Sequence, residues 1–246
     1  RGRSAHPDCM SLSRLSPSLF SPAWLVTALL VLASLSLVFF VAPMEVQMGI
    51  VQKIFYFHVP SAFAMYVGWG ATAVGALAYL ASRNPKADAL AVAGAEIGML
   101  FCAIVLVTGP LWARKAWGVY WTWDPRLTTT LAAGMIYLAY LSLRSFGEAG
   151  ESEKLFGAGL AVLGVPVLFL VHYSVQKWRG VHPTVITKQG GGLAPEMVTP
   201  FLLSIAAVLS LALLLLWTRY RLERQRQAID AARARALEAD LLENEA

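Results

Sequence analysis

The sequence predicts an all-α membrane protein, a bundle of six transmembrane helices with a Trp-rich amphipathic segment on its outer face. The 246 residues are 57% hydrophobic and only 14% charged, roughly half the charged fraction of an ordinary soluble domain. The charged residues cluster between long apolar runs, and the mean hydropathy is +0.58. A chain with this composition and pattern belongs in a bilayer.

Six apolar runs are long enough to cross the hydrocarbon core, which requires about 20 helical residues. They cover residues 23–42, 60–81, 89–110, 127–144, 155–175 and 199–218. The fourth run is the shortest and least apolar, so we expect it to pack against neighbouring helices. The first is too long for the apolar region of a signal peptide and is interpreted as a retained helix.

The charge distribution predicts the orientation of these spans. A transmembrane domain at 23–218 with six spans leaves the tails 1–22 and 219–246 on one side. Lys and Arg total 13 on that side and 7 on the other, so the positive-inside rule places both termini in the cytoplasm. The net charge is +5, but the basic residues flank the spans. We therefore interpret them as topology signals rather than as a nucleic-acid-binding surface. The C-terminal tail is predicted to be a basic and polar helix.

Three outer loops, 43–59, 111–126 and 176–198, place three histidines on or beside one surface. Pro60 suits the first turn of a helix, and a helix N-terminus at His58 favours the neutral imidazole that can ligate a metal. An interfacial His58 that only hydrogen-bonds at the headgroup level is the alternative. His172 lies among apolar residues and is expected to be a core histidine, whereas His182 belongs to a shaped loop.

The stretch "WGVYWTWDPRL" at 117–127 is more aromatic than an ordinary interfacial belt requires. If it forms a surface helix, four residues at helical spacing share one face: Trp117, Tyr120, Trp121 and Asp124. Asp124 either forms an ion pair with Arg126 or leaves Arg126 to bind an anionic group of a ligand. An aromatic face beside histidines suits a large planar ligand with acidic groups, and this combination indicates haem.

The same stretch resembles the WGxxWxWD motif of the haem-handling membrane proteins of cytochrome c maturation. "YFHVPSA" at 56–62 and "HYSVQKW" at 172–178 are similar to the CcmC branch, as is the six-span layout. The related CcmF and CcsA proteins carry more spans than this chain can hold. The resemblance extends over about residues 20–218, nearly everything outside the two tails.

The resemblance implies that His58 and His182 are the axial ligands of the iron of haem b. It also implies a haem-binding platform, to which the helical spacing adds Tyr120: Trp112, Trp117, Trp121, Trp123 and Asp124, followed by Arg126. Glu45 and Lys53 are candidates for the acidic and basic residues of the first outer loop, where the family more commonly has Asp and Arg. His172 matches the family pattern without being one of the two ligands.

By this resemblance the protein would be a multi-pass protein of the bacterial inner membrane that presents haem at the periplasmic face. It would deliver haem to the chaperone CcmE and act with CcmD and the ABC subunits CcmA and CcmB. The chain has no Walker A pattern, so the ATPase would be a partner. The protein would then be a haem delivery or attachment factor rather than a conventional enzyme.

Two other functions stay open at this level. The first is a transmembrane haem exporter subunit of an ABC complex, for which Glu96 is the acid well inside a span. The second is a membrane cytochrome that transfers electrons through a haem with two His ligands, with His58 and His172 as the candidate pair.

Overall fold

A computed structural model of the protein describes residues 21–146, 150–178 and 192–238. All named elements in these ranges are helical, which confirms the all-α class. A π-helical turn, Leu37–Val41, extends the first helix, and a 3₁₀ turn, Ile50–Ile54, leads into the second. The six α-helices are α1 Pro22–Ser36, α2 Phe55–Ser82, α3 Pro85–Trp117, α4 Pro125–Phe146, α5 Glu151–Lys177 and α6 Pro195–Glu238.

Five of the described helical segments are long and apolar enough to cross a membrane. They are Pro22–Val41, Ile50–Ser82, Pro85–Trp117, Glu151–Ser174 and Pro195–Leu237. α4 is not among them, so the predicted count of six spans is supported for five. α4 contains three consecutive threonines, and it buries one face against its neighbours α5 and α3. This packing agrees with the expectation for the fourth apolar run.

The helices extend further than the apolar runs alone indicate. The 3₁₀ turn at Ile50–Ile54 continues directly into α2, and α3 ends only where Gly118 adopts a φ of 79°. The nonhelical parts of the outer loops are therefore shorter than the predicted 43–59 and 111–126. α6 runs unbroken for 44 residues to Glu238, because polar residues with good helix propensity follow its apolar part.

Glycines bring α2 and α3 into close contact. A Cβ atom on Gly68 would overlap the backbone of Gly98, and a Cβ atom on Gly98 would overlap the Trp69 ring. Trp69 is fully buried and stacks on Tyr137 of α4, with ring centroids 4.7 Å apart. This packing brings the antiparallel helices α2 and α3 close together, as small residues do at membrane helix interfaces.

A buried ionic network joins four helices at one end of the bundle. Arg144 of α4 donates a hydrogen bond to Asp88 of α3 at 2.9 Å and forms an ion pair with Glu153 of α5 at 3.0 Å. Gln227 of α6 donates to the same Asp88 carboxylate at 3.1 Å. We call this the Asp88 end, and the opposite end, where α2 begins, the His58 end.

A second ion pair lies near the Asp88 end. Arg219 of α6 donates a hydrogen bond to Glu96 of α3 at 2.6 Å and forms an ion pair with Glu223 at 3.3 Å. The acid inside the third span thus fastens α3 to α6. Because Gln227 still contacts α3 two turns later, the polar part of α6 belongs to the bundle at least that far.

Candidate functional site

His58 lies well inside a continuous helical segment. Pro60 does not begin a helix as predicted, because the chain is already helical from Ile50. The argument from a helix N-terminus at His58 is therefore wrong. Pro60 lacks an N–H group, which leaves the helix one hydrogen bond short at this point. His58 itself is half-buried.

The His58 ring packs against α3. Its Nδ1 atom lies 2.9 Å from the Thr108 hydroxyl, and that hydroxyl donates to the Ile104 carbonyl at 2.6 Å. A Cβ atom on Gly109 would lie 3.2 Å from Cε1 of the same ring. Thr108 and Gly109 were missed by sequence reasoning because they stand inside an apolar run. Only the antiparallel pairing of α2 and α3 brings them to His58.

The tryptophan-rich stretch does not form the predicted surface helix. Gly118 ends α3 in the left-handed conformation, and its carbonyl accepts a hydrogen bond from Arg114. Residues 119–124 then follow without regular structure before α4 begins at Pro125. The predicted stripe through Trp117, Trp121 and Asp124 therefore does not exist, because a left-handed residue breaks the helical period.

The four tryptophans instead form two edge-to-face pairs. Trp112 and Trp117, in the last turns of α3, have ring centroids 5.5 Å apart at 89°. Trp121 and Trp123, in the irregular segment, are 5.8 Å apart at 82°. Trp123 is 76% exposed. Trp112 stands one turn beyond Thr108 on α3, so the first pair lies next to the His58 contact.

Tyr120 and Arg114 form a third aromatic contact in this region. Tyr120 is 57% exposed, and the Arg114 guanidinium carbon lies 5.6 Å from its ring centroid. This cation–π geometry ties the irregular segment back to the last turns of α3.

Asp124 and Arg126 shape the start of α4. Asp124 is 6% exposed, and its carboxylate accepts a hydrogen bond from the Arg126 backbone N–H at 2.8 Å. This is an N-cap contact, with Pro125 at the first helical position. Burial lowers the pKa of the Arg126 guanidinium, and the nearby Tyr66 and Asp124 oppose this shift. Tyr66, two turns beyond His58 on α2, is a further residue that the sequence did not single out.

Several buried donors around the tryptophans lack a hydrogen bond to any described residue. They are the indole N–H groups of Trp112 and Trp121 and the hydroxyl groups of Thr122 and Thr128. A buried unpaired donor costs about 1–3 kcal/mol, so such groups usually have a hydrogen-bond partner. A ligand with carboxylate groups would supply acceptors for them.

Lys53 and Glu45 hold the connection between α1 and α2. The Lys53 ammonium is buried and donates to the carbonyls of Val38 at 2.6 Å and Phe39 at 3.2 Å. It thereby caps the π-helical end of α1, where carbonyls lack helical partners. The Glu45 carboxylate accepts a hydrogen bond from the Met48 backbone N–H within a tight turn.

Of the two remaining candidate histidines, the structure describes only His172. His172 is exposed on α5, with its ring edge-to-face to Tyr173 at 5.2 Å. The interpretation of His172 as a core histidine is therefore wrong. α5 buries Val171 and Ser174, and His172 falls on the other side of the helix. His182, with most of its loop, lies outside the described residues.

Comparison with known proteins gives consistent matches over most of the chain. The family model described as "CcmC: Heme exporter protein C" matches residues 3–235. "Heme exporter protein C" of Bradyrhizobium diazoefficiens is 33% identical over 219 residues, 87% of this chain and 81% of that protein. The protein of the same name from Escherichia coli K12 is 34% identical over 203 residues, 80% of this chain and 81% of that protein.

A mitochondrial relative is also similar. The "Putative cytochrome c biosynthesis ccmC-like mitochondrial protein" of Marchantia polymorpha is 30% identical over 195 residues, 79% of this chain and 81% of that protein. The similarity to bacterial and mitochondrial proteins thus covers a comparable portion of the chain.

Proposed function

Because the chain belongs to the CcmC family, heme exporter protein C, we propose that it binds haem at the His58 end and delivers it to the chaperone CcmE. Membership of this family gives the protein a general role in haem handling for cytochrome c maturation, as a multi-pass membrane protein. The observation that carries the proposal is the grouping of His58, the tryptophan pairs and the unpaired donors at one end of the bundle.

His58 and His182 would be the axial ligands of the iron of haem b. His58 suits this role because it is half-buried and its ring is held against α3 by Thr108. A ligand ring that is fixed by a hydrogen bond at one nitrogen presents the other nitrogen in a defined direction. His182 is proposed on the family motif alone.

The aromatic residues would contact the macrocycle, and the buried donors would bind its carboxylates. Trp112, Trp117, Trp121 and Trp123 form edge-to-face pairs that offer ring faces to a flat ligand. The indole N–H groups of Trp112 and Trp121 would donate to propionate oxygens, and Arg126 would contribute positive charge. Asp124 would act by capping α4 and so placing Arg126. Tyr120 would lie at the exposed margin.

The His58 end would face the periplasm, with both termini in the cytoplasm of a bacterium and the bundle in the inner membrane. The excess of basic residues beside the Asp88 end supports this orientation. Haem, CcmE, CcmD and the ABC subunits CcmA and CcmB would be the partners. The exporter alternative draws no support from Glu96, because Arg219 occupies that carboxylate.

Absorption spectroscopy of the purified full-length protein tests the ligands. We expect a six-coordinate, low-spin haem spectrum in the wild type and its loss in His58→Ala and in His182→Ala. His172→Ala is the matched control and should keep the wild-type spectrum, because His172 is exposed on another helix. A six-coordinate spectrum in both of the first two variants would overturn the ligand assignment. Loss of the spectrum in His172→Ala would instead favour the electron-transfer alternative.

Transfer is tested separately with haem-loaded protein and purified CcmE. Haem should move to CcmE from the wild type. Haem that binds stably and never transfers would contradict the delivery function while leaving the binding site intact.

A further inference from the structure

We propose that Thr108 is a positioning residue that fixes the tautomer and direction of the His58 ring, so that Nε2 is the nitrogen that binds iron. The inference rests on the proposed role of His58 as a haem ligand and goes beyond it, since it names the nitrogen and the residue that selects it. Thr108 would not touch haem; it would act through His58.

The tautomer of His58 follows from the number of hydrogens that the Thr108 hydroxyl can donate. A threonine hydroxyl has one hydrogen and two acceptor sites. The Ile104 carbonyl, 2.6 Å away and one helical turn earlier, can only accept, so we assign the Thr108 hydrogen to this bond. The hydroxyl oxygen can therefore only accept from the His58 Nδ1 atom, which lies 2.9 Å away. The neutral ring that satisfies this contact carries its proton on Nδ1 and its lone pair on Nε2.

Two contacts on α3 hold the ring in this direction. Thr108 holds Nδ1, and the backbone at Gly109 lies close to Cε1, where a Cβ atom would come within 3.2 Å. Glycine at 109 thus leaves room for the ring in this rotamer. Both contacts come from consecutive residues of one helix, so the ring cannot rotate without breaking one of them.

The acceptor of the Nδ1–H bond, the uncharged Thr108 hydroxyl, also affects how tightly His58 would bind iron. Hydrogen bonding from Nδ1–H raises the basicity of the ligand nitrogen, and loss of such a contact typically costs 10–100-fold in metal affinity. A hydroxyl is a weaker acceptor than the carboxylates that often orient ligand histidines. A hydroxyl in this place therefore favours binding that is directed but releasable.

The variants separate this role from a structural one. Thr108→Val keeps the shape and removes the hydroxyl, whereas Thr108→Ser keeps the hydroxyl. Thr218→Val is the matched control, because Thr218 makes the same bond to a carbonyl four residues earlier, at 2.8 Å. Gly109→Ala tests the second contact by crowding the ring.

In the full-length protein, Thr108→Val should bind haem at least about tenfold more weakly and show a higher iron reduction potential. Thr108→Ser and Thr218→Val should match the wild type in both. Gly109→Ala should shift the haem spectrum. An unchanged affinity and potential in Thr108→Val would overturn the proposal.

Haem-free protein provides a readout that does not depend on haem binding. With ¹⁵N-labelled histidine, the His58 ring should show protonated Nδ1 in the wild type and in Thr108→Ser, and a shift toward protonated Nε2 in Thr108→Val. A wild-type ring protonated at Nε2 would overturn the tautomer assignment even if His58 binds haem. A failed ligand assignment would be seen separately, as an unchanged haem spectrum in His58→Ala.

Discussion

The two ends of the bundle use polar groups in opposite ways. At the Asp88 end, buried charges of α3, α4 and α5 are paired with one another, and Gln227 of α6 donates a hydrogen bond to one of them, Asp88. At the His58 end, several buried donors lack partners in the described residues, and aromatic rings such as Trp123 are exposed. Paired groups stabilise the bundle, whereas a buried donor without a partner costs stability. We therefore propose that the Asp88 end stabilises the fold and that the His58 end binds the ligand.

The largest expected effect is at the Asp88 end. Arg144→Met leaves Asp88 and Glu153 as buried carboxylates without their cation, and breaking a buried ion pair in this way costs about 3–5 kcal/mol. We expect a large drop in the melting temperature of the detergent-purified protein. The haem spectrum of the protein that remains folded should be unchanged.

Arg83→Met is the control for that experiment. Arg83 pairs with Glu151 at 3.8 Å with both side chains well exposed, and such pairs contribute about 0–1 kcal/mol. Equal melting temperatures for Arg83→Met and Arg144→Met would contradict the stabilising role of the Asp88 end.

A smaller effect is expected at Lys53, the buried charge nearest His58 along the chain. Lys53→Met removes the ammonium that caps the carbonyls of Val38 and Phe39, and hydrogen bonds to charged groups contribute about 1.5–3 kcal/mol. Hydrogen exchange should become faster around residues 37–42, with little change in haem affinity. Lys115→Met, at an exposed position, should change neither. A large loss of haem affinity in Lys53→Met would instead place Lys53 in the binding site.

The smallest effect on stability is expected at Trp121. Trp121→Phe keeps a ring and removes a buried N–H that lacks a partner, so the melting temperature without haem should stay the same or rise. Haem affinity should fall by roughly tenfold or more, because a hydrogen bond to a carboxylate would be lost.

Trp24→Phe is the matched control for Trp121→Phe. The Trp24 indole N–H is also buried without a partner, but it lies at the start of α1, away from the His58 end. Equal haem affinities for the two variants would contradict a ligand-binding role for the Trp121 N–H.

Much of the helical layout could be predicted from apolar runs alone, because a membrane helix is specified by length and composition. The ends of the helices could not. α2 begins before His58, at Phe55, after a 3₁₀ turn, and no apolar pattern marks such a turn. The predicted Trp stripe failed for a local reason: Gly118 takes a left-handed conformation, which glycine permits and does not dictate.

The partners of the site residues were the least predictable part. Thr108 is fifty residues from His58 in the chain and looks like any threonine that bonds its own helix. Its role depends on the register of α2 against α3, which the contact between Gly68 and Gly98 sets. The prediction of His172 as a core residue failed because it relied on the apolar residues that precede it in the chain, and in a bilayer an apolar helix face can contact lipid as well as the core.

Chemical rescue of a His58→Gly variant tests the central claim most directly. His58→Gly should bind haem weakly and without the six-coordinate spectrum, and added imidazole should restore both by supplying the missing ligand nitrogen. His172→Gly should need no imidazole. A six-coordinate spectrum in His58→Gly without imidazole would contradict the claim that the His58 end binds the iron through this residue.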